Sequence, residues 1–233
     1  MTTVLGRVAV LYRYPVKSMA AEALEAADVS WHGLSGDRRW GFLRPGHPGA
    51  GFPWLTLRQN NQLSQYRPRL ESPEDPDRSK VLVCTPAGAE FEVTAPELAE
   101  ELGAQVMKLD RGTFDSMPLS LVSTRTVADI SALAGSEPAD PLRFRPNLLI
   151  EPAGTEPFPE DGWVGRELGI GELVMRVDRR DKRCVIVNID PRTGLRTPVV
   201  LKAVARHRDM CLGVYGSVVT PGRVAVGDPV VLR

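Results

Sequence analysis

Glycine and proline are the residues that most restrict the fold of this chain. The 233 residues include 21 glycines and 20 prolines, which recur between short apolar runs. Proline breaks the interior of a helix and glycine weakens it, whereas short strands joined by turns accommodate both. The sequence therefore predicts a mainly β protein with a few helices, and it argues against a helical bundle.

The charge balance excludes one broad class of partner. The 29 Lys and Arg residues match the 29 Asp and Glu residues, so the formal net charge is zero. Aromatic residues make up 6% and are not interleaved with the basic patches, so the sequence does not predict binding to nucleic acid. The 42% of hydrophobic residues is ordinary for a globular protein and is enough for a core.

Cysteine usage and targeting signals bear on where the protein works. Cys84, Cys184 and Cys211 are scattered, and their spacing fits neither a disulfide framework nor a zinc site. The first residues lack the pattern of a signal peptide, and no apolar run is long enough for a transmembrane helix. We therefore expect a cytoplasmic protein without a membrane partner.

Segments of strand length, apolar or alternating, are separated by turn signals. The predicted strands are residues 4–12, 38–43, 54–59, 81–85, 89–95, 147–151, 172–177, 184–189, 214–219 and 223–232. Residues 81–85 and 89–95 flank Pro86-Ala87-Gly88 and predict a hairpin, and residues 46–53 predict a loop. This pattern indicates a β-barrel or sandwich with a few covering helices.

Three short helices are predicted between the strands. Thr94 and Glu97 fit a capping box at the start of the first helix, and Gly103 would end it. The second helix runs from about residue 126 to 134 and the third from about residue 199 to 207. The isolated histidines are predicted to lie on the surface or in loops; they are His32, His47 and His207.

The most unusual stretch is residues 176–194, in which Cys184 follows four cationic residues within five positions. Nearby cations favour a thiolate over a thiol, and the thiolate is both a nucleophile and a ligand for soft metals. The same cations suit the phosphate of a cofactor. A plainer interpretation stays open, in which Cys184 is a small apolar residue of strand 184–189 and the basic run is a solvated edge.

Three further segments carry side chains suited to anions. They are YPVKS at 14–18, GDRRW at 36–40 and RFRPN at 143–147. Each alone is a weak signal, because Lys and Arg near strand ends are usually just solvated. Together, in a chain of zero net charge, they indicate an anionic ligand held at several points.

Six motifs occur in the order in which MOSC-domain proteins carry them. They are YPVKS (14–18), GLSGDRRW (33–40), RFRPNLLI (143–150), DGW (161–163), RCVIVNIDPRTG (183–194) and GRVAVGDPV (222–230). The chain resembles the C-terminal domain of molybdenum cofactor sulfurases and the mitochondrial amidoxime-reducing component over nearly its whole length. The resemblance implies a MOSC β-barrel domain at residues 106–233, preceded by a smaller β-barrel-like N-terminal module at residues 1–105. The two would enclose a molybdenum cofactor of the molybdopterin type.

The resemblance also implies roles for individual residues. Cys184 matches the cysteine that ligates molybdenum, and it would be the catalytic residue. Ten further residues match positions in contact with the cofactor: Lys17, Ser18, Arg38, Ser116, Met117, Arg145, Asn147, Lys182, Arg183 and Tyr215. Asp161 and Trp163 would pack a loop or form the pocket wall. Core packing stays open for Trp163, Tyr215 and Met117, and a turn role for Asp37, paired with Arg39, stays open as well.

The expected activity is that of an oxidoreductase that reduces N-hydroxylated compounds, such as hydroxylamines or amidoximes. The sequence shows no ferredoxin-like domain and no pyridoxal-phosphate module, so we expect electrons from separate proteins of the cytochrome b5, ferredoxin or flavin reductase type. Many relatives carry a second cysteine three residues before the ligand cysteine, and this chain has Asp181 there. A redox role for a cysteine pair is therefore not expected.

Two alternatives stay open. In the first, the protein is a carrier that hands molybdenum cofactor, or sulfur held on Cys184 as a persulfide, to a molybdoenzyme client. In the second, it is a β-barrel module that binds a small phosphorylated ligand or a partner in its basic clefts and needs no cofactor.

Overall fold

Strands outnumber helices in this protein, as the glycine and proline content predicts. The computed structural model describes residues 3–46 and 52–233, so most of the predicted loop 46–53, with His47, lies outside the described residues. The strands are β1 (Val4–Arg13), β2 (Glu22–Leu24), β3 (Ala26–Ser30), β4 (Gly33–Leu34), β5 (Trp40–Leu43), β6 (Arg67–Leu70), β7 (Val81–Cys84), β8 (Glu90–Glu92), β9 (Gln105–Lys108), β10 (Leu119–Ser123), β11 (Leu148–Pro152), β12 (Glu167–Ile170), β13 (Leu173–Lys182), β14 (Cys211–Thr220), β15 (Gly222–Ala225) and β16 (Pro229–Leu232). The α-helices are α1 (Pro96–Leu102), α2 (Thr124–Ala134) and α3 (Val199–Arg208).

Seven strands close into a barrel, in the order β11-β10-β14-β13-β12-β16-β1, because β1 also pairs with β11. Strand β2 extends the sheet beside β1. The β10–β11 pairing is parallel, and the other pairings around the ring are antiparallel. Closure leaves the ring without a free edge, which favours a stable isolated sheet.

The barrel interior is filled by side chains two residues apart on each strand. Examples are Leu119 and Leu121 on β10 and Leu148 and Ile150 on β11, all fully buried in one cluster. The period of two is the one at which a strand presents alternate residues to one face. The predicted barrel is thus confirmed, and its core is a packed apolar one.

The segment between β4 and β10 forms a second core. Strands β6, β7 and β8 make a small antiparallel sheet, and β5 pairs with β9. Helix α1 packs Leu98 and Leu102 into this core beside Phe42 and Val83. The predicted hairpin of β7 and β8 is confirmed.

The barrel takes strands from both ends of the chain. Strand β1 pairs with β11 and β16 in the ring, and outside the ring β3 pairs with β15 in a separate sheet. The barrel therefore includes residues that come before the predicted boundary at 105/106, and the division into modules stays a prediction.

Helices α2 and α3 pack together over a third cluster, which contains Val122, Ile130, Leu149 and Val204. Both predicted helices are confirmed, with α2 beginning two residues earlier and α3 ending one residue later than expected. Within the described ranges, no helix has the length and apolar character needed to cross a membrane.

Three local predictions were wrong. In two of them a polar side chain forms a hydrogen bond that changes the local structure, and in the third a turn at a glycine interrupts a strand. In the predicted strand 54–59, the Gln59 side chain accepts a hydrogen bond from the Thr56 backbone N–H and closes a turn. At α1, Thr94 donates to Glu92 instead of capping the helix, and Ala95 occupies the cap position. The predicted strand 223–232 is divided into β15 and β16 by a turn at Gly227, whose φ is +90°.

The most consequential correction concerns residues 184–189, which do not form a strand. Cys184 immediately precedes a 3-10 helix, Val185–Asn188. Val187 and Ile189 are buried while Val185 is 47% exposed, so one face of this short segment is apolar. In a short apolar run, the spacing of the residues does not distinguish a strand from a buried helical turn. Here the Asn188 side chain stabilises the turn by accepting a hydrogen bond from the Leu201 N–H.

Candidate functional site

A cavity of about 580 Å³ lies between barrel strands β10, β13 and β14 and the loops around them. Its volume is within the usual range for sites that bind small molecules. The eleven residues predicted for the site all line it: Lys17, Ser18, Arg38, Ser116, Met117, Arg145, Asn147, Lys182, Arg183, Cys184 and Tyr215. The structure thus brings together residues far apart in the sequence; Lys17 and Tyr215 are separated by 198 positions. The binding roles of these residues stay predictions.

Cys184 lies half-buried at the cavity, next to an arginine from the other part of the chain. The Arg58 guanidinium donates a hydrogen bond to Cys184 Sγ over 3.3 Å, and it also lies 3.4 Å from Asp115 Oδ2. Burial alone would lower the pKa of Arg58, but the interactions with Cys184 and Asp115 outweigh burial and raise the pKa above its ordinary value. The cysteine sulfur therefore has a cationic neighbour, Arg58, that the flanking sequence did not reveal.

Lys17 is a buried cation with an acidic partner. Its Nζ donates to Asp115 Oδ1 and to the Thr113 carbonyl oxygen, each at 2.5 Å. Burial lowers the pKa of Lys17 to about 8, although Asp115 opposes this shift. Burial also raises the pKa of Asp115, but Lys17, with Arg58, brings it below the usual value.

Two arginines lie over the ring of Tyr14. The guanidinium carbons of Arg38 and Arg145 are 4.4 and 4.2 Å from the ring centre, in the range of cation–π contacts. Both arginines have φ values near +50°, which are unfavourable for side chains other than glycine. Such strain is concentrated at sites where the surrounding structure holds it. Burial lowers the pKa of Arg145 to about 10.

Asp37 and Asn147 hold Arg38 in place. Asp37 forms an ion pair with Arg38, and its other oxygen accepts from the Tyr14 N–H at 2.7 Å. The Asn147 amide donates to Asp37 and to the Tyr12 carbonyl oxygen, each at 3.2 Å. Asp37 therefore anchors Arg38 and not Arg39 as the turn interpretation held, since Arg39 pairs with Asp77.

Arg183 extends from the end of β13 into the protein. It donates to the carbonyl oxygens of Leu212 and Phe144 at 2.7 and 2.8 Å, and it pairs with Asp181 at 2.8 Å. Asp181 is 1% exposed. Burial raises the pKa of Asp181 to about 6, against the influence of Arg183 and of the Tyr215 hydroxyl.

Four of the guanidinium groups at the cavity have spare hydrogen-bond donors. Among the described residues that line it, buried nitrogen atoms of Arg143, Arg145, Arg180 and Arg183 have no hydrogen-bond partner. A buried donor without an acceptor costs free energy, whereas charged donors bind phosphate and carboxylate strongly. The cavity is therefore suited to an anionic ligand that accepts several hydrogen bonds.

The remaining predicted residues differ in position. Ser18 is buried, Met117 is half-buried, and Lys182 is exposed at the rim. Ser116 accepts a hydrogen bond from Arg179. Tyr215 lines the cavity, which favours the pocket interpretation over a purely core role.

The DGW element does not contribute to the cavity wall. Trp163 packs in the barrel core, and Asp161 pairs with Arg208 and Arg180. The packing interpretation is therefore the one that the structure supports for both residues.

Twelve of the 23 lining residues were not predicted as part of the site, among them Arg58, Asp115, Ser120 and Asp181. Arg58 lies in a segment interpreted as a strand, and nothing nearby in the sequence marks it. Asp115 directly precedes the predicted Ser116, so adjacency was the one available signal. Asp181 was noted only as the residue that replaces a cysteine of relatives.

Comparison with known proteins agrees with this architecture. The family model for the MOSC N-terminal beta barrel domain matches residues 5–117. The family model for the MOSC domain matches residues 108–231, which is more than half of the chain. The YUAD protein from Bacillus subtilis has the same fold, with a TM-score of 0.55 and 16% identity over 100% of this chain and 98% of that one.

Curated relatives carry two kinds of name. Molybdenum cofactor sulfurase of Drosophila grimshawi is 28% identical over 94% of this chain and 34% of its own length. Mitochondrial amidoxime reducing component 2 of Rattus norvegicus is 31% identical over 50% of this chain and 37% of its own length. The chain thus spans about a third of the length of these relatives.

The match to the MOSC domain covers six of the seven barrel strands and most of the cavity wall. The N-terminal match covers the seventh strand, β1, and the segment that supplies Lys17, Arg38 and Arg58. On these grounds, the chain belongs to the MOSC family.

Proposed function

We propose that this protein binds molybdenum cofactor in the cavity and reduces N-hydroxylated compounds with electrons from separate proteins. The observation that carries the proposal is the joint presence, in one cavity, of Cys184 and four guanidinium groups that have buried, unused donors. A thiolate suits a soft metal, and the unused donors suit a phosphate.

The residues fit the cofactor in size and charge. A volume of about 580 Å³ can hold a pterin with its side chain. Arg145, Arg183 and Lys17 would hold the anionic end, and Cys184 would ligate the metal. When bound, the cofactor would supply the redox chemistry that removes oxygen from the substrate.

The protein side chains have supporting tasks in this proposal. Asn147 and Asp37 keep the Arg38 guanidinium oriented, which limits the entropy lost on binding. Arg58 holds the Cys184 sulfur by its hydrogen bond. Relatives named for amidoxime reduction support the substrate class, at 28% identity for the human component 1 and 31% for the rat component 2.

Metal and pterin analysis tests the proposal. The protein is purified from a host that makes the cofactor, as wild type, Cys184→Ser and Cys84→Ser. Cys84 is also half-buried but lies in β7, away from the cavity, which makes it the matched control. We expect molybdenum and pterin in wild type and Cys84→Ser, and loss of molybdenum in Cys184→Ser. Wild-type protein without either component would contradict the proposal.

Turnover is measured on the same samples with an aromatic amidoxime and a chemical electron donor. Cys84→Ser should match wild type, and Cys184→Ser should be inactive. Replacing the chemical donor by a cytochrome b5, a ferredoxin or a flavin reductase then identifies the class of electron-transfer partner. Loaded wild-type protein that reduces no N-hydroxylated compound would disprove the oxidoreductase assignment.

A second candidate, a carrier of cofactor or sulfur, is favoured by the partly exposed position of Cys184 and by the relatives named molybdenum cofactor sulfurase. A partner can reach a half-buried sulfur. The test is mass spectrometry of Cys184 for a persulfide after exposure to a sulfur donor. Sulfur that can be transferred to a cofactor-deficient molybdoenzyme would favour the carrier, and an unmodified thiol would argue against it.

A further inference from the structure

Asp181 is a carboxylic acid in the cavity wall, at an interruption of the sheet. The register between β13 and β14 shifts between Arg180 and Lys182, which places Asp181 in a bulge. Its side chain is 1% exposed and lines the cavity. Bulges next to functional sites redirect a side chain away from the regular ladder.

Two hydroxyl groups and one guanidinium surround this carboxyl. Ser120 Oγ donates to Asp181 Oδ2 at 3.5 Å, and the Tyr215 hydroxyl lowers the pKa of the same carboxyl. Ser120 and Tyr215 face each other in the register of β10 and β14. Arg183 Nη1 lies 2.8 Å from the same oxygen. All of these residues line the cavity.

The electrostatic surroundings make this carboxyl easy to protonate. Burial is the main cause of its raised pKa, and the charge of Asp115 adds to it, while Arg183 opposes it. Burial also raises the pKa of Tyr215, with a contribution from Asp181, so its hydroxyl keeps its proton. An acid that titrates close to the working pH both donates and regains a proton readily.

The other acidic and basic groups of the cavity wall are less suited to this task. Asp115 has a lowered pKa and stays ionised. The Lys17 ammonium already donates to Asp115 and to the Thr113 carbonyl oxygen. Guanidinium groups hold their protons in the neutral range. Among these groups, Asp181 is the one placed to give up a proton to a bound molecule.

We propose that Asp181 donates a proton to the oxygen that leaves the substrate, with Tyr215 and Ser120 positioning its carboxyl. This inference rests on the proposed reductase function. Reduction of R–NHOH to R–NH2 breaks the N–O bond and consumes two electrons, supplied by the separate electron-transfer proteins, and two protons. The hydroxyl group leaves as water after taking one proton from Asp181, and the nitrogen takes the second proton from solvent. The Asp181 carboxylate then regains its proton from solvent.

The decisive variant is Asp181→Asn, which keeps the shape of the side chain but cannot donate a carboxyl proton. We expect it to retain molybdenum and pterin at the wild-type level while kcat falls about 100-fold. The wild-type kcat should fall as the pH rises and Asp181 ionises, and this pH dependence should be absent in the variant. Asp181→Glu, which keeps the carboxyl, should recover part of the rate.

Asp178→Asn is the matched control. Asp178 lies on the same strand, pairs with Arg176 and is not part of the cavity wall. This variant should keep both the rate and the pH profile of the wild type. If Asp181→Asn does not accumulate as folded protein, Asp181→Glu and Tyr215→Phe serve for the same comparison, with a shifted pH profile as the expected result.

A second readout does not depend on turnover. Infrared difference spectra of the cofactor-free protein should show the carbonyl band of a protonated carboxyl that titrates near the pKa of about 6. The band should be missing in Asp181→Asn. In Tyr215→Phe the band should titrate at higher pH, because the Tyr215 hydroxyl, which lowers the pKa of Asp181, would be absent.

The outcomes separate this inference from the function on which it rests. Loaded Asp181→Asn protein with the wild-type kcat and pH profile would overturn the role of Asp181 and leave the reductase intact. Absence of the titrating band in cofactor-free wild type would also overturn it. Wild-type protein without reductase activity would overturn both proposals.

Discussion

At the scale of single residues, the cavity is built from charges that are stable only as a group. Arg38 and Asp37 form a buried pair, and the buried Lys17 pairs with Asp115, which is partly exposed; both cations line the cavity wall. Breaking a buried pair leaves one charge without compensation, which is strongly destabilising. The site therefore carries a cost in stability that a ligand can offset.

The cost of burying Lys17 is measurable through pH. Its pKa is about 8 in the folded protein, against 10.5 as the ordinary value. Between these values the unfolded chain binds more protons than the folded one, so folding stability rises with pH. We expect the free energy of unfolding of wild type to rise by about 2 kcal/mol relative to Lys17→Met between neutral and alkaline pH.

Urea unfolding of both cofactor-free proteins, at neutral pH and at about pH 10, measures this difference. The comparison with Lys17→Met removes the contribution of the other titrating groups. A constant difference between the two proteins across this range would show that Lys17 titrates normally in the folded state.

At the scale of elements, a buried carboxyl joins α2 to the segment that contains Trp163. Glu160 is fully buried, and it accepts hydrogen bonds from the Ser123 backbone N–H, the Ser123 hydroxyl and the Thr126 hydroxyl. Ser123 is also the residue that caps α2. The start of this helix therefore depends on a residue more than 30 positions away in the sequence.

Replacing Glu160 should destabilise the protein because it leaves buried donors without acceptors. We expect Glu160→Ala to lower the free energy of unfolding by about 2–4 kcal/mol and to speed amide exchange at the start of α2. Glu156→Ala, an exposed change in the same loop, is the control and should have little effect. Equal stability of the two variants would argue against the linking role of Glu160.

Prediction succeeded where the signal was local. Helices α2 and α3 and the β7–β8 hairpin follow from periodicity and turn residues close in sequence. It failed at residues 184–189, where burial of Val187 and Ile189 against other elements selects a 3-10 helix. Tertiary contacts override propensity in short apolar runs, because propensities differ by only tenths of a kcal/mol per residue.

At the scale of the whole molecule, the barrel and the cavity both need the two ends of the chain. Strand β1 closes the ring between β11 and β16. The Asn61 side chain donates to the Gly194 carbonyl oxygen, and Arg196 donates to the Leu57 carbonyl oxygen. These contacts hold the segment that carries Arg58 against the loop that follows Cys184.

Fragments of the chain test two points together: whether the barrel needs β1 to fold, and whether the predicted boundary at 105/106 separates two modules. We expect residues 106–233 alone not to fold cooperatively, because without β1 the edges of β11 and β16 stay open. Co-expression with residues 1–105 should restore a cooperative transition in circular dichroism. A stable, cooperatively folding fragment 106–233 would show instead that the barrel closes without β1.

The sequence by itself determined the β class, the three helices and the motifs that identify the MOSC family, because these depend on residues close together in the chain. Through a resemblance tied to those motifs, it also pointed to eleven of the side chains that line the cavity. Only the tertiary structure decided that Arg58 donates to Cys184, that Asp181 lies between Ser120 and Tyr215, and which guanidinium donors stay unused. These properties depend on distances between residues that can lie more than 100 positions apart, and packing of the barrel against the N-terminal segment sets those distances.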